Sequence, residues 1–187
     1  MTLNGLLQKS PASLPILQAT FGLERESLRI SKINHRVAQT KHPEILGSRS
    51  FHPYIQTDYS EPQIELITPI ANSTSEVLRF LGAITDVIGR SINKDEYLWP
   101  LSMPPKLTAD EIAIASLEDH WERQYRDHLA KVYGKVLQSM SGIHYNMELG
   151  ANLVTALFEE SDYTSLIAFK NDLYLKLAQT SYVFVGY

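Results

Sequence analysis

The stretch GLERESLRI, residues 22–30, predicts a β-strand that carries acidic side chains in its first half and apolar side chains in its second half on one face. Side chains two positions apart point to the same face of a strand, so Glu24, Glu26, Leu28 and Ile30 share one face. Two carboxylates beside buried apolar positions repel each other and lose solvation, and a bound cation would resolve both problems. The alternative is an exposed, charged strand end with arginines nearby.

A predicted hairpin follows this strand. Residues 54–58 and 63–68 have strand character, and Ser60-Glu61-Pro62 supplies the turn. Asp58 and Glu65 can meet across such a hairpin, while Glu61 lies at the turn itself. Hard cations such as Mg²⁺ take oxygen ligands, so the segment favours a magnesium site. An ordinary acidic turn is the alternative.

A third alternating segment, SGIHYNMEL, spans residues 141–149. It places His144 and Asn146 on the face opposite Ile143, Tyr145 and Met147. An imidazole and an amide at this spacing can both face a polar cavity. A purely structural histidine is the alternative.

Helical periodicity predicts the remaining elements. Ser73 to Glu76 and Thr108 to Glu111 are capping boxes, and a long amphipathic helix follows the first of them. One helical face carries Trp121, Tyr125, Leu129 and Val132, which by default is a core face. Gly134 is a candidate end for that helix. A last helix over 166–179 is expected to stop at Thr180, where β-branched and aromatic residues begin. Pro11 and Pro15 indicate a short helix followed by a turn near the start of the chain.

Composition narrows the class of protein. The 187 residues are 44% hydrophobic and 20% charged, with a net charge of −4 and no cysteine. These values indicate a folded chain, argue against a nucleic-acid footprint, and exclude disulfides and thiolate metal sites. No apolar run approaches the roughly 20 residues that span a bilayer, and no signal peptide is evident, so a cytoplasmic location is expected. Intermixed strands and helices, with hairpins and no glycine-rich βα turn, predict an α+β fold.

Four long segments resemble the bacterial type of glutamate–cysteine ligase. They are GLERESLRI, QTDYSEPQIELITP at 56–69, DEYLWPLSMPP at 95–105 and YGKVLQSMSGIHYN at 133–146, and their order and separation fit as well. The resemblance covers nearly all of residues 16–179. It is strongest to bifunctional enzymes that carry a C-terminal glutathione synthetase module.

The resemblance implies a fold related to glutamine synthetase, with a curved, mainly antiparallel sheet and outer helices, here incomplete. It implies ATP-dependent ligation of the γ-carboxylate of L-glutamate to the amine of L-cysteine through a γ-glutamyl phosphate. Mg²⁺ is the implied cofactor. L-glutamate, L-cysteine and ATP are the implied partners, with no nucleic acid and no membrane.

The resemblance also assigns roles to residues. Its metal-binding positions fall on Glu24, Glu26, Asp58, Glu65 and His144. Its cysteine side-chain pocket implies Tyr59, Tyr125 and Leu129, which are expected to form an apolar wall beside the metal cluster. Arg126 matches a catalytic arginine that meets phosphate or carboxylate.

The chain is expected to be the N-terminal portion of a longer catalytic domain. From residue 179 onward it departs from the family pattern, and one base removed from the family's usual codons would give Thr180 to Tyr187. On this hypothesis the chain alone is a poor or inactive ligase, since further arginines and another metal ligand lie downstream in the family. A non-catalytic fragment is the alternative function, and self-association is a possible means of covering its exposed sheet edges.

Overall fold

A computed structural model describes residues 19–116 and 120–185 of the chain. The expected short helix around Pro11 and Pro15 lies outside these residues. The chain divides into two compact units, residues 21–147 and residues 148–187 together with 1–20. No helix of the described residues is long and apolar enough to cross a membrane.

The larger unit is organised around an open five-stranded sheet. The strands are β1 (Ala19–Ser31), β2 (Ile55–Thr57), β3 (Gln63–Ile67), β4 (Glu96–Leu98) and β5 (Ile143–Leu149). The order is β2-β3-β1-β4, and β5 also pairs with β1. Strand β1 pairs antiparallel with β3 and β4, and β2 pairs antiparallel with β3. The α+β prediction with a largely antiparallel sheet is therefore confirmed in this coarse form.

Helix α1 (Thr74–Ser91) covers one face of this sheet. The Ser73 hydroxyl accepts a hydrogen bond from the Glu76 N–H and caps the helix start, as the sequence predicts. Behind the cap, apolar residues at helical spacing pack on alternate residues of the strands. The resulting core contains Ile55, Ile64, Leu66, Ile88 and Ile92, with Leu23, Ala71 and Val77 beside it.

The opposite face of the sheet changes from acidic to apolar along β1. Leu28 and Ile30 are buried against Val37, with Tyr97 and Trp99 packed on them. Because side chains alternate along a strand, Glu24 and Glu26 share this second face and not the one under α1. The strand itself therefore divides the face into an apolar half and an acidic half.

Helix α2 (His120–Tyr133) stops just before Gly134, which has a φ of 81°, so this glycine ends the helix and does not merely interrupt it. The prediction that the face with Trp121 and Tyr125 packs in the core is wrong, since Trp121 is 78% and Tyr125 62% exposed. The capping box at Thr108 is present, but it caps only a single 3₁₀ turn at Ala109–Glu111.

The smaller unit contains a pair of helices, α3 (Ala151–Glu159) and α4 (Leu166–Val185). Leu153, Val154 and Leu157 of α3 pack against Phe169 and Leu173 of α4. Sequence reasoning missed α3. It also ended α4 too early: the helix continues through Thr180 to Val185, because β-branched and aromatic residues cost a helix only a few tenths of a kcal/mol each.

Candidate functional site

Four acidic or histidine side chains come from three adjacent strands on the open face of the sheet. The register of β1 and β3 places Glu26 directly opposite Glu65. Glu24 lies two residues away on the same face of β1. Strand β5 pairs with β1 on its other side and brings His144 alongside.

Short contacts tie β5 to the two glutamates of β1. The Gly142 N–H donates to Glu26 Oε2 at 2.8 Å, and the Glu26 N–H donates to the Gly142 carbonyl at 3.0 Å. His144 Nδ1 lies 3.2 Å from Glu24 Oε2, and its Nε2 lies 3.8 Å from Glu26 Oε1. The Asn146 amide donates to Glu24 Oε1 at 3.0 Å. Backbone and side-chain groups of β5 thus hold Glu24 and Glu26 side by side.

Burial and mutual repulsion shape the electrostatics of these carboxylates. Burial, followed by the charges of Asp58, Glu24 and Glu26, raises the pKa of Glu65 to about 7. Burial also raises the pKa of Glu26 and of Asp58. Together with His144, these four carboxylates form one electrostatically connected group, which we call the acidic cluster.

The donor set of the acidic cluster fits a hard cation. Mg²⁺ favours carboxylate oxygens, and a cation would offset both the lost solvation that raises the pKa of Asp58, Glu26 and Glu65 and the repulsion that adds to it at Glu26 and Glu65. In the described part of the chain, no group of three or more acidic or histidine side chains is arranged to hold a metal ion as it stands. His144 and Asn146 instead engage the Glu24 oxygens, so coordination requires these side chains to turn.

Glu61 does not belong to the acidic cluster. Arg49 Nη1 contacts both of its carboxylate oxygens, at 2.7 and 2.6 Å, and the Ser116 N–H donates to Oε1 at 2.9 Å. Glu61 therefore has a basic partner that lies outside the hairpin. Its partner comes from a loop about a dozen residues upstream, which local pattern reading could not supply.

A cavity of about 300 Å³ adjoins the hairpin turn and α2. Asp58 belongs both to its wall and to the acidic cluster. The remaining lining residues are Tyr59, Glu122, Tyr125, Arg126, Leu129 and Gln138. The structure thus brings Tyr59, Tyr125 and Leu129 together at one cavity beside the acidic cluster, and their role as a cysteine pocket stays a prediction.

Arg126 lies at the cavity wall and supports Asp58 through the backbone. Its Nε donates to the Asp58 carbonyl at 3.0 Å, and its Nη1 lies 3.4 Å from Glu122 Oε2. These contacts fix the arginine beside the cavity. Its predicted meeting with phosphate or carboxylate stays a prediction.

Two residues of the cavity, and one residue that holds Glu26 in place, were not identified from the sequence. Glu122 and Gln138 line the cavity, and Gly142 binds Glu26 through its N–H. Glu122 is one helical turn before Arg126, so helical spacing could have suggested it. Gln138 lies in a 3₁₀ turn, Leu137–Ser139, which is too short to show a periodic pattern in the sequence.

Comparison with known proteins identifies relatives of this arrangement. The sequence model of the family described as glutamate-cysteine ligase matches residues 5–185. The "Glutathione biosynthesis bifunctional protein GshAB" of Streptococcus mutans is 70% identical over 179 residues, which are 96% of this chain and 24% of that protein. The Enterococcus faecalis protein of the same name is 50% identical over 182 residues, with the same coverage.

Two solved structures share the fold. A bifunctional glutathione synthetase from Pasteurella multocida superposes with a TM-score of 0.82 at 45% identity, over 87% of this chain and 22% of that one. A glutamate–cysteine ligase from Francisella tularensis, solved in complex with AMP, gives a TM-score of 0.76 at 29% identity, over 80% of this chain and 30% of that one. The chain therefore spans about a quarter of the length of the curated relatives it matches.

Proposed function

Because the chain belongs to the glutamate–cysteine ligase family, we propose that it carries the cation-binding and cysteine-binding parts of a ligase site. The reaction would join the γ-carboxylate of L-glutamate to the amine of L-cysteine with ATP, as the first step of glutathione biosynthesis. The related proteins are bifunctional proteins of glutathione biosynthesis. A glutamine-synthetase-like, funnel-shaped sheet is part of the same proposal.

The position of Asp58 carries this proposal. The reaction needs an anionic phosphoryl donor on one side and an amine nucleophile on the other. Asp58 belongs to the acidic cluster and also lines the amino-acid-sized cavity. A carboxylate in that position can hydrogen-bond the amine of an amino acid in the cavity and hold it toward the acidic cluster.

The chemistry divides into two steps with distinct requirements. The γ-carboxylate of glutamate attacks the terminal phosphorus of ATP, giving γ-glutamyl phosphate and ADP. The cysteine amine then attacks the acyl carbon, the C–O bond to phosphate breaks, and the amine loses a proton. Mg²⁺, when bound, neutralises the charge of the nucleotide and the transferred phosphoryl group.

The residues of this chain would hold and orient the reactants. Glu24, Glu26, Glu65, Asp58 and His144 would hold the cations. Tyr125 and Leu129 would form an apolar wall for the cysteine side chain. Arg126 would meet an anionic group, phosphate or carboxylate, at the edge of the cavity. No side-chain nucleophile is required, which agrees with a chain that contains no cysteine.

A chimaera tests the proposal directly. The matched 179 residues of the S. mutans protein are replaced by those of this chain, and γ-glutamylcysteine is measured by mass spectrometry with ATP, glutamate and cysteine. We expect activity in the chimaera and a loss of at least about 100-fold with Asp58→Asn. Asp86→Asn, an exposed carboxylate on α1, is the matched control. An active Asp58→Asn chimaera would contradict the proposal.

The alternative is a chain that is non-catalytic by itself, and the 24% coverage of the relatives favours it. The same assay on the separate 187-residue polypeptide distinguishes the two. Turnover at about 1–10³ per second, the range of ordinary enzymes, would show that this polypeptide suffices. We expect none, because the chain spans only 24% of the length of the S. mutans protein.

A further inference from the structure

The backbone of Gly142, immediately before β5, lies directly against the acidic cluster. Its N–H donates to Glu26 Oε2 at 2.8 Å, and its carbonyl accepts from the Glu26 N–H at 3.0 Å. Two residues later His144 extends from the same face of the strand, and its ring lies back over Gly142. A β-carbon placed on Gly142 would lie 3.1 Å from His144 Nε2 and 3.4 Å from its Cδ2. The imidazole therefore occupies space that only a glycine leaves free.

Backbone conformation does not explain this glycine. Among the described residues, the glycines with a positive φ are Gly47 and Gly134, so residues other than glycine could adopt the conformation of Gly142. Glycine weakens a strand, because it loses more conformational entropy on folding than other residues do. A glycine in a strand context often marks a close approach of another group. Here the group that approaches is the His144 ring.

The backbone around Gly142 is held from three sides. The Met140 carbonyl accepts from Nε2 of Gln63, a fully buried residue of β3, at 3.3 Å. The Ser141 N–H donates to the Ser102 carbonyl at 2.9 Å. The two hydrogen bonds of Gly142 to β1 complete the set. This backbone has little freedom to withdraw, so a side chain at position 142 would displace the imidazole instead.

The place of the imidazole matters because it lies between the two glutamates of β1. His144 Nδ1 is 3.2 Å from Glu24 Oε2, and Nε2 is 3.8 Å from Glu26 Oε1. The side chain of His144 is 55% exposed, so it is free to move toward solvent when it is crowded. A ring pushed outward would leave both carboxylates, and with them any cation that they hold.

We propose that Gly142 is a positioning residue of the cation site, which keeps the His144 imidazole beside Glu24 and Glu26 by carrying no side chain. It acts through His144 and does not itself contact a cation. This inference rests on the proposed function, because it takes the acidic cluster to bind a cation. It adds a steric requirement that the set of ligands alone does not contain.

Gly142→Ala tests the inference, because alanine keeps the backbone N–H and adds only the β-carbon. Mn²⁺ binding to the 187-residue chain is measured by electron paramagnetic resonance. We expect Gly142→Ala to weaken binding about tenfold, as the loss of a group that orients a metal ligand does. Gly22→Ala on β1 is the matched control, because its β-carbon would lie 3.8 Å from Asn146 Cβ, an ordinary van der Waals contact. The control should change the affinity by less than about twofold.

A second pair of variants shows whether Gly142 acts through the imidazole. In a His144→Ala background the ring is absent, and a β-carbon at position 142 has room. Gly142→Ala should then change the Mn²⁺ affinity by less than about twofold, although His144→Ala itself weakens binding. A purely structural role of Gly142 would give the same loss in both backgrounds.

A measurement on the metal-free wild-type chain checks the geometry without any variant. A nuclear Overhauser effect should connect an α-proton of Gly142 with the Hδ2 proton of the His144 ring, because that α-proton takes the direction of the missing β-carbon. This signal decides the matter even if Gly142→Ala fails to fold.

Equal Mn²⁺ affinities of the wild-type chain and Gly142→Ala, equal losses with and without the imidazole, or absence of the Overhauser effect would each overturn the inference. These failures differ from failure of the proposed function. A wild-type chain that binds no Mn²⁺ would refute the cation site, and the inference with it. A wild-type chain that binds Mn²⁺ as tightly as Gly142→Ala does would refute only the role of Gly142.

Discussion

Individual buried charges in this chain fall into two groups. Arg29 and Glu96 are 1% and 4% exposed and form a direct ion pair. Glu65, in contrast, is half-buried among other carboxylates, and burial, followed by their charges, raises its pKa to about 7. Evolution keeps such repulsion mainly where a function uses it. The first group therefore stabilises the fold, and the second defines the candidate site.

The buried imidazole of His42 lies outside the candidate site, and we expect it to make the stability of the fold depend on pH. Burial and the charges of Arg49 and Arg29 lower its pKa to about 4, while Glu61 opposes them and His52 adds slightly. Its Nδ1 contacts the Thr57 hydroxyl at 2.9 Å. The unfolded chain, with the ordinary pKa of 6.5, binds the proton first as pH falls. Stability is thus fully present above pH 6.5 and decreases toward pH 4.

We expect the wild-type chain to lose roughly 2 kcal/mol more than His42→Asn between these pH values. Urea unfolding at several pH values measures the difference, and carboxylates that titrate in both proteins cancel. Parallel stability curves for the two proteins would show that His42 is not buried in its neutral form.

The residues of the acidic cluster were predictable because a strand has a strict period of two. Glu24 and Glu26 had to share a face, and the hairpin had to bring Asp58 near Glu65. The partner of Glu61 was not predictable in this way, because Arg49 comes from an irregular loop. Resemblance to the family, and not periodicity, singled out Tyr59, Tyr125 and Leu129.

The turn between β2 and β3 is held by contacts from other parts of the chain. Glu61 is held by Arg49, and the Glu61 N–H donates to the Ala113 carbonyl at 2.9 Å. The Asp58 carbonyl accepts from Arg126 of α2. Three separate segments therefore fix the turn that presents Asp58 and Tyr59 to the cavity.

Arg49→Met should destabilise the chain by about 3 kcal/mol, because it leaves the Glu61 carboxylate buried without its cation. Adding Glu61→Gln should recover most of this loss, since the amide still accepts from the Ser116 N–H. Chemical denaturation of the two single variants and the double variant gives the coupling energy. A loss below about 1 kcal/mol in Arg49→Met would indicate that solvent screens this pair as it does a surface pair.

Elements with a strong internal pattern were the predictable ones, namely β1, β3 and α1. The predictions failed where contacts with other parts of the chain decide which side of an element is buried. The apolar residues of α2 follow a helical period, but α2 lies with Trp121 and Tyr125 toward solvent. Which side of a helix meets its neighbours depends on the chain around it, and local spacing does not contain that information.

Of the strands that the structure describes, β5 is the most exposed. Within residues 19–116 and 120–185 it pairs with β1 and with no further strand. Ile143 is 65%, Tyr145 53% and Met147 38% exposed. An exposed strand edge with apolar side chains is a template for pairing with another chain.

We expect the 187-residue chain to self-associate as its concentration rises, and Ile143→Lys to reduce that association by at least about tenfold in dissociation constant, since a charge on an edge strand opposes pairing. Ile33→Lys, at a loop position that is 78% exposed, is the matched control. Sedimentation velocity over a concentration series measures both. A monomeric wild-type chain, or an equal effect of both variants, would contradict this expectation.

The acidic cluster is the proposed cation site on which the function of this chain rests. Glu65→Gln should change two measurable quantities, the stability without metal and the affinity for a cation, because it removes one repelling charge and one cation ligand together. In metal-free buffer at neutral pH, the variant should be more stable than the wild-type chain by about 1 kcal/mol, a value reduced by partial solvent screening. Glu44→Gln, an exposed carboxylate elsewhere, is the control.

The most direct measurement is a titration of the 187-residue chain with Mn²⁺, followed by electron paramagnetic resonance, with Mg²⁺ as competitor. We predict saturable binding that Mg²⁺ displaces, weakened at least about tenfold by Glu65→Gln and by Glu26→Gln, as loss of a ligand requires, and unchanged by Glu44→Gln. If the wild-type chain and Glu65→Gln bind Mn²⁺ equally, or if neither binds it, the acidic cluster is not a cation site of this chain.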